Sequence, residues 1–441
     1  MLEIKDNANY SAIIFKLKEV YPLNNMDNLV GVNVYGNQVL ISNKNLEIGS
    51  LYVYFPVETE LANDYVVYNN LYEDKELNND KTLKGFINNK RRVRCIKLRG
   101  NKSEGLLMPI SSLDIYNYTS EFKEGDTFDH IDGQEVCKKY IRIVEKKQTS
   151  LKKIKKIVKF QYLIPGIFKF HKDTKQLGYN IDKLKETDII HISDKWHGTS
   201  AISSYLICYK QLKWYEKIAQ WFKCAIKDKE YKYICSSRTV IKDEINNNLG
   251  YYNENIWNVT HNYLKSHLSK GMTIYYEIVG YLKSGKMIQK DYDYNCKPGE
   301  HKIAIYRITI TNEDGETFEF SPKQIQDWCV HHNLLAVKEL YYGTVIDLYK
   351  KLTKGNESLS KEYDKDVFLK LLIQEYCDNR KNIECANKVP VEGIVIRVDN
   401  YNEIDLYKLK GFDFKNYESK CKDNNEEDIE ETESVNKEEN I

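Results

Sequence analysis

The sequence predicts an α+β fold: a run of short strands suited to a small barrel, then a mixed core of strands and helices. Three observations carry this. Up to about residue 160, alternating apolar and polar stretches are punctuated by Gly-containing turns. From about 160 to 417, apolar strand-like runs are interleaved with helix-spaced stretches. Beyond Glu418 the chain is acidic, with no aromatic residue and no periodicity.

In the first part, 30–42 alternates around Tyr35-Gly36-Asn37, a hairpin signal, and 51–55 reads as a strand. Segments 92–99 and 105–110 flank Gly100-Asn101-Lys102-Ser103, a second hairpin candidate with Arg92, Arg94, Lys97 and Arg99 on its outward positions. Short strands with basic faces suit an OB-type barrel, a fold that often grips nucleic-acid backbone. Arg94, Lys97 and Arg99 are the candidate backbone contacts. Residues 146–159 carry seven lysines and read as a basic inter-domain linker. Residues 212–226 have helical apolar spacing and predict a packed helix, and 344–381 predict one or two more.

Composition bounds the function. The 441 residues suffice for two or three domains, and 41% are hydrophobic, so a sizeable core is available. No apolar run reaches the length of a membrane span, and 1–10 lacks the apolar centre of a signal peptide, so no membrane partner is expected. The ten cysteines form no Cys-x-x-Cys pair and no zinc spacing; free thiols in a reducing cytoplasm are the expectation. The net charge of +1 hides a split. Ten acidic and three basic residues from Glu418 onward leave 1–417 at about +8, which suits a polyanionic partner.

The chemistry lies in the second part. Lys195-Trp196-His197-Gly198-Thr199-Ser200 sits between two strand-like stretches, where Gly198 would let backbone approach a ligand closely. Ser237-Arg238-Thr239 follows a Tyr-rich strand. Tyr275-Tyr276-Glu277-Ile278-Val279-Gly280 and Val391-Glu392-Gly393-Ile394-Val395-Ile396 each place an acid in an apolar strand, costly unless paired or metal-bound. Ile303-Ala304-Ile305-Tyr306-Arg307-Ile308 is a strand with a central aromatic. Leu406-Tyr407-Lys408-Leu409-Lys410 sets two lysines at i and i+2, on one face of a strand.

In this order and spacing these segments resemble motifs I, Ia, III, IIIa, IV and V of the covalent nucleotidyltransferases, which include ATP- and NAD-dependent ligases and mRNA capping enzymes. Lys195-Trp196-His197-Gly198-Thr199-Ser200 resembles the RNA ligase branch typified by phage T4 RNA ligase 2. Lys97-Leu98-Arg99-Gly100 and Ser103-Glu104-Gly105-Leu106-Leu107-Met108-Pro109 resemble the N-terminal module of Deinococcus-type RNA ligases. The resemblance covers about 30–415. It implies an OB-like barrel (1–160, with the basic linker) and an antiparallel-sheet nucleotidyltransferase core of ATP-grasp-like ligase type (161–417); composition, with no counterpart in the resemblance, marks 418–441 as a disordered acidic tail.

The resemblance also implies roles. Lys195 would attack the α-phosphate of ATP to form lysyl-AMP, with His197 at the departing pyrophosphate or the reacting ends. The attacking amine must be neutral, and nearby cations favour that form. Lys408, Lys410 and a bound Mg²⁺ or Mn²⁺ would serve here and would neutralise phosphoryl charge. Arg238 would touch ribose or strand end, Glu277 a ribose hydroxyl and Tyr306 the adenine face. Glu392 would hold metal, the backbone around Asp194 would read the adenine edge, favouring ATP over GTP, and Gly198 would line the nucleotide. The expected partner is RNA, or an RNA-containing duplex with a nick, bound by a monomer.

The pattern has departures. Ser200 stands where RNA ligase 2 proteins have Asn, 209–232 looks like an insertion, and 343–388 is a long stretch before motif IV. Rival readings are an mRNA guanylyltransferase, a DNA ligase (disfavoured by His197) and a nucleic-acid-binding protein with an inactive core. Removal of 1–160 is expected to spare AMP attachment and to cripple strand sealing.

Overall fold

In the computed structural model the chain is described over residues 1–44, 46–141, 161–223, 225–242, 254–354, 362–378, 380–399 and 404–424. The expected basic linker and the acidic stretch from 425 onward lie outside these residues.

The N-terminal part is built on a four-stranded antiparallel sheet in the order Leu106–Pro109, Leu51–Phe55, Ala12–Lys16, Thr127–Phe128. Successive side chains of a strand point to opposite faces. Ala12, Ile14, Val53 and Phe55 accordingly enter one apolar cluster, and Ile13, Phe15, Tyr52 and Tyr54 another. Burying both faces explains the near-continuous apolar runs.

The first predicted hairpin is present: Leu29–Val34 pairs with Asn37–Ser42. Its turn residues Tyr35 and Gly36 have φ of 51° and 84°, the conformation a two-residue turn requires. The second hairpin is displaced from its predicted arms. Cys95–Leu98 pairs with Asn101–Glu104, because Arg99 and Gly100 supply the two positive-φ residues (47° and 90°). Gly105, φ 119°, then turns the chain into the separate strand Leu106–Pro109. Arg92 corrects the expectation of an outward basic face. It is buried between Glu58, Asp423 and the Ser419 carbonyl, its guanidinium near the Tyr140 ring.

The core has two five-stranded sheets. One runs Lys175–Gln176, Ile404–Leu409, Gly393–Asp399, Ile189–Lys195, Glu339–Thr344 and is antiparallel apart from its first pair. The other, antiparallel throughout, runs Lys229–Ser237, Thr199–Tyr209, Met272–Gly280, His301–Thr311, Thr317–Glu319. Helices Val345–Leu352 and Lys365–Tyr376 pack on the first sheet. Ile256–Leu264 and Pro322–His331 pack on the second. Ser321 and Gln324 form a reciprocal capping box at the start of Pro322–His331.

Two expectations are revised. The helix anticipated in 212–226 is Trp214–Trp221 and has no buried residue, so it is not the packed helix its periodicity suggested. Periodicity reports an apolar face and not what covers it. The acidic tail was placed from 418, but the helix Phe412–Asp423 continues through that point. Its Ser419 and Lys422 are buried against the N-terminal part. Among the described residues no helix is long and apolar enough to cross a membrane.

Candidate active site

The chain leaves the first core sheet at Lys195 and enters the second at Thr199, crossing in three residues, Trp196-His197-Gly198. This places Lys195 where the two sheets meet. Its strand neighbour in register is Gly393, directly after Glu392. The crossing is pinned by contacts the sequence pattern does not show. Trp196 stacks on Tyr294 with ring centroids 4.7 Å apart, and the His197 amide donates to the Tyr294 hydroxyl at 2.7 Å. The His197 ring lies edge-on to Tyr292 (4.8 Å) and Phe414 (5.0 Å).

Glu392 is the centre of the charge arrangement. Its Oε1 lies 2.9 Å from Lys195 Nζ and 3.1 Å from Lys410 Nζ, and its Oε2 lies 3.7 Å from His197 Nδ1. Burial alone would raise the carboxyl's pKa, but Lys195, Lys410 and His197 reverse this and hold it well below the usual carboxylate range. Lys408 takes the opposite course. Burial, Lys410, Lys195 and Arg238 lower its pKa to about 7, with Asp173 opposing. One lysine is thus locked in an ion pair while its neighbour two residues away is held near neutrality.

Glu392 Oε2 is buried and has no hydrogen-bond partner among the described residues, so one carboxylate lone pair remains for a hard cation. No group of three or more His, Cys, Asp or Glu among the described residues is arranged to hold a metal by itself. These features fit a divalent cation held by one carboxylate plus the oxygens of a bound polyphosphate, and not an all-protein cage.

Other predicted site residues have protein partners here. Glu277 accepts from the Gly198 amide and the Ser200 hydroxyl, both at 3.1 Å. It braces the crossing. Gly198 is needed because an added Cβ would sit 2.3 Å from the Ile278 carbonyl oxygen, so the close approach is to the adjoining strand. Asp194 pairs with Arg380 at 3.1 Å, and its amide donates to the Lys338 carbonyl at 3.1 Å, so that amide is not open to a base edge. Arg238 pairs with Asp173 and still adds to the positive field at Lys408. Tyr306 is half-buried, its hydroxyl 3.1 Å from His171 Nδ1.

The three barrel candidates diverge. Arg94 lies within 3.6 Å of Glu73 and 3.8 Å of Asp423, tying it to the C-terminal helix. Lys97 is exposed, and exposed Arg99 reaches the Asn25 carbonyl at 3.5 Å. Sequence reasoning missed Tyr292, Tyr294, Phe414 and Glu418. In a chain with 35 tyrosines single tyrosines carry little signal, though Asp291-Tyr292-Asp293-Tyr294 stands directly before the His301–Thr311 strand's approach turn.

The comparisons agree with this architecture. A model of an OB-fold domain family matches residues 11–110. No curated protein is matched by the sequence itself. Among solved structures the chain is similar to Naegleria gruberi RNA ligase with AMP and Mn: TM-score 0.55, 14% identity, covering 93% of this chain and 99% of that one. The same ligase with pyrophosphate gives TM-score 0.53 at 15% identity, covering 93% and 98%. With ATP and Mn it gives 0.52 at 13%, covering 95% and 99%. The chain is therefore an α+β protein with an N-terminal OB-fold domain and an antiparallel-sheet core, in the arrangement seen in RNA ligase structures.

Proposed function

We propose that this protein is an ATP-dependent RNA ligase that carries AMP on Lys195. The observation behind this reading is the lysine at the junction of two sheets, sharing the buried Glu392 with Lys410, on a fold similar to a ligase solved with ATP, AMP and pyrophosphate.

Three displacements at phosphorus follow. The Lys195 amine, having lost a proton, bonds to the α-phosphorus of ATP as the bond to pyrophosphate breaks. A 5′-phosphate oxygen of the RNA strand then takes the adenylyl group, releasing the lysine. A 3′-OH finally attacks that 5′-phosphorus, loses its proton and expels AMP. Lys410 and Lys408 sit where negative charge builds on the transferred phosphoryl group, and His197 borders the leaving pyrophosphate. A divalent cation, Mg²⁺ or Mn²⁺, bound at Glu392 would neutralise phosphate charge there. In the free protein Glu392 holds the Lys195 amine in an ion pair, so the nucleophile is stored and positioned rather than open.

The division of labour goes with this reading. The core holds the lysine that would carry AMP; the barrel, with Lys97 and Arg99 exposed, lies along nucleic-acid backbone. The substrate is a nick with an RNA 3′-OH end, as in Deinococcus-type ligases, and the protein acts as a monomer in RNA repair.

The test is incubation of the full chain with a divalent cation and α-labelled ATP or GTP, read on a denaturing gel. Label from ATP that stays on the chain and is absent from Lys195→Ala supports the reading. Label from GTP alone moves the protein to the capping enzymes. No covalent label with either nucleotide overturns it in favour of an inactive, nucleic-acid-binding core.

A further inference from the structure

The Lys195–Glu392–Lys410 cluster does not end at the core. Lys410 Nζ lies 3.7 Å from Glu418 Oε2, on the first turns of the helix Phe412–Asp423. One turn further on, Lys422 Nζ lies 3.9 Å from Glu418 Oε1 and 3.0 Å from Glu58 Oε2. Glu58 belongs to the N-terminal domain. It also accepts from Ser419 Oγ at 2.9 Å and faces Arg92 Nη1 at 3.5 Å. Arg92 closes the line on the helix through Asp423. Four cations and four carboxylates therefore alternate from the candidate nucleophile to the barrel. Glu392, Glu58, Arg92 and Lys422 are all buried.

Two features separate this from an incidental row of surface pairs. Buried charges persist only when each is paired, so removing one member strands its neighbours. Glu58 is also held at φ 68°, a left-handed conformation that a residue with a Cβ adopts at a cost. Its amide bonds to the Val93 carbonyl at 2.8 Å, which keeps that conformation and aims the carboxylate at the helix. A second tie, Lys415 to Glu104 at 3.0 Å and to Asn37 Oδ1 at 2.7 Å, fixes the same helix to the barrel hairpins.

We propose that Glu418 is a positioning residue for Lys410 and that Glu58, acting through Lys422 and Glu418, makes the barrel part of the AMP-transfer site. This rests on the ligase reading above. It also reverses the expectation that the core transfers AMP normally without 1–160, since that deletion would take Glu58 from Lys422 and Glu104 from Lys415, the ties that hold the helix carrying Glu418.

The test measures covalent AMP attachment by the full-length protein at varied ATP. Glu418→Gln should lower the maximal rate by roughly tenfold with the KM for ATP nearly unchanged, because it misplaces a group that acts on the developing charge. Glu418→Asp should recover part of the loss. Glu58→Gln should fall in the same direction by a smaller factor, and the double variant should lose less than the product of the two. Unlabelled wild type would remove the ligase reading itself. Labelled wild type with Glu418→Gln and Glu58→Gln at the wild-type rate overturns the coupling, as does a rise in KM alone or independent, multiplicative losses.

A separate surface carries a second inference. On the helix Trp214–Trp221, Trp214, Ile218, Trp221 and the following Phe222 fall on one stripe, with Tyr215 at its margin. The two tryptophans are 75% and 78% exposed. Segment 209–230 carries Lys210, Lys213, Lys217, Lys223, Lys227 and Lys229 against only three acids, one of which, Glu216, pairs with Lys210. An aromatic and aliphatic stripe on a lysine-rich segment is the pattern of a helix lying in a bilayer interface. We infer that it docks on an anionic lipid surface, the lysines meeting the headgroups, which reverses the expectation of no membrane partner. Full-length protein should co-sediment with vesicles containing roughly one-third phosphatidylserine, with blue-shifted tryptophan emission, and not with neutral phosphatidylcholine vesicles. Trp214→Ser combined with Trp221→Ser should abolish both effects. No binding, binding that the double variant retains, a shift produced only by RNA, or self-association through this helix would each overturn the inference.

Discussion

Lys195 and Lys410 reach the same oxygen: Glu392 Oε1 lies 2.9 Å from one amine and 3.1 Å from the other. Lys195, the proposed nucleophile, ends one strand and Lys410 directly follows another, and the strand after Glu392 lies between these two, so a single carboxylate sets their separation.

Replacing that carboxylate should therefore damage activity and stability together. Glu392→Gln keeps the shape but leaves Lys195, Lys410 and His197 without their shared anion. The expected cost is about 3 kcal/mol of folding stability, with AMP attachment down by at least about a hundredfold. A denaturant melt and the labelling assay check both; an unchanged melt would show that the cations reorient into solvent.

Lys408 gives a pH prediction of definite sign. Its folded pKa of about 7 lies below that of a free lysine. Below pH 7 it is charged in both states and its burial penalty stands. As pH rises past 7 the unfolded chain still holds the proton and the folded chain does not, so stability increases by about 3 kcal/mol, allowing for solvent access. A polyphosphate would restore the charge. ATP binding at pH 8 should then take up close to one proton, measured by calorimetry in buffers of different ionisation enthalpy, and Lys408→Met should abolish the uptake.

Gly198→Ala tests the strand crossing. The new Cβ would meet the Ile278 carbonyl oxygen at 2.3 Å, a backbone atom that cannot swing aside. Separation of the two strands should cost about 2 kcal/mol and break the Gly198–Glu277 hydrogen bond. Loss of AMP attachment with a native-like melt would mean that Gly198 serves ligand approach after all.

His191 should shape the acid limb of stability. Burial and the nearby Arg397 lower its pKa to about 4, against Asp399 and against Glu339, whose Oε2 lies 3.2 Å from Nε2 and limits the shift. The unfolded chain binds the proton first as pH falls, so stability is lost between the free-histidine value near ~6.5 and 4, by about 3 kcal/mol. His191→Gln should flatten that part of the curve in pH-dependent melts.

Much of the core was legible in order along the chain. Apolar periodicity located the strands that carry Lys195, Glu277 and Lys408 and the one that follows Glu392, because strands buried on one or both faces must be apolar there. The hairpin at Tyr35-Gly36 was legible for a similarly local reason, its positive-φ turn. The partners of Arg92, Glu277 and Glu418 were not. Arg92 meets Asp423 across 331 positions and Glu58 meets Ser419 across 361, and no local pattern marks such pairs.

The sequence by itself determined which residue types stand at the ends of which strands, since period-2 burial and turn chemistry act over a few residues. The tertiary structure alone decided which charges meet. Ion pairs are chosen by the packing of distant elements, and burial then makes each choice costly to break. Glu418, counted with an acidic tail on composition, became a half-buried link between barrel and core for that reason.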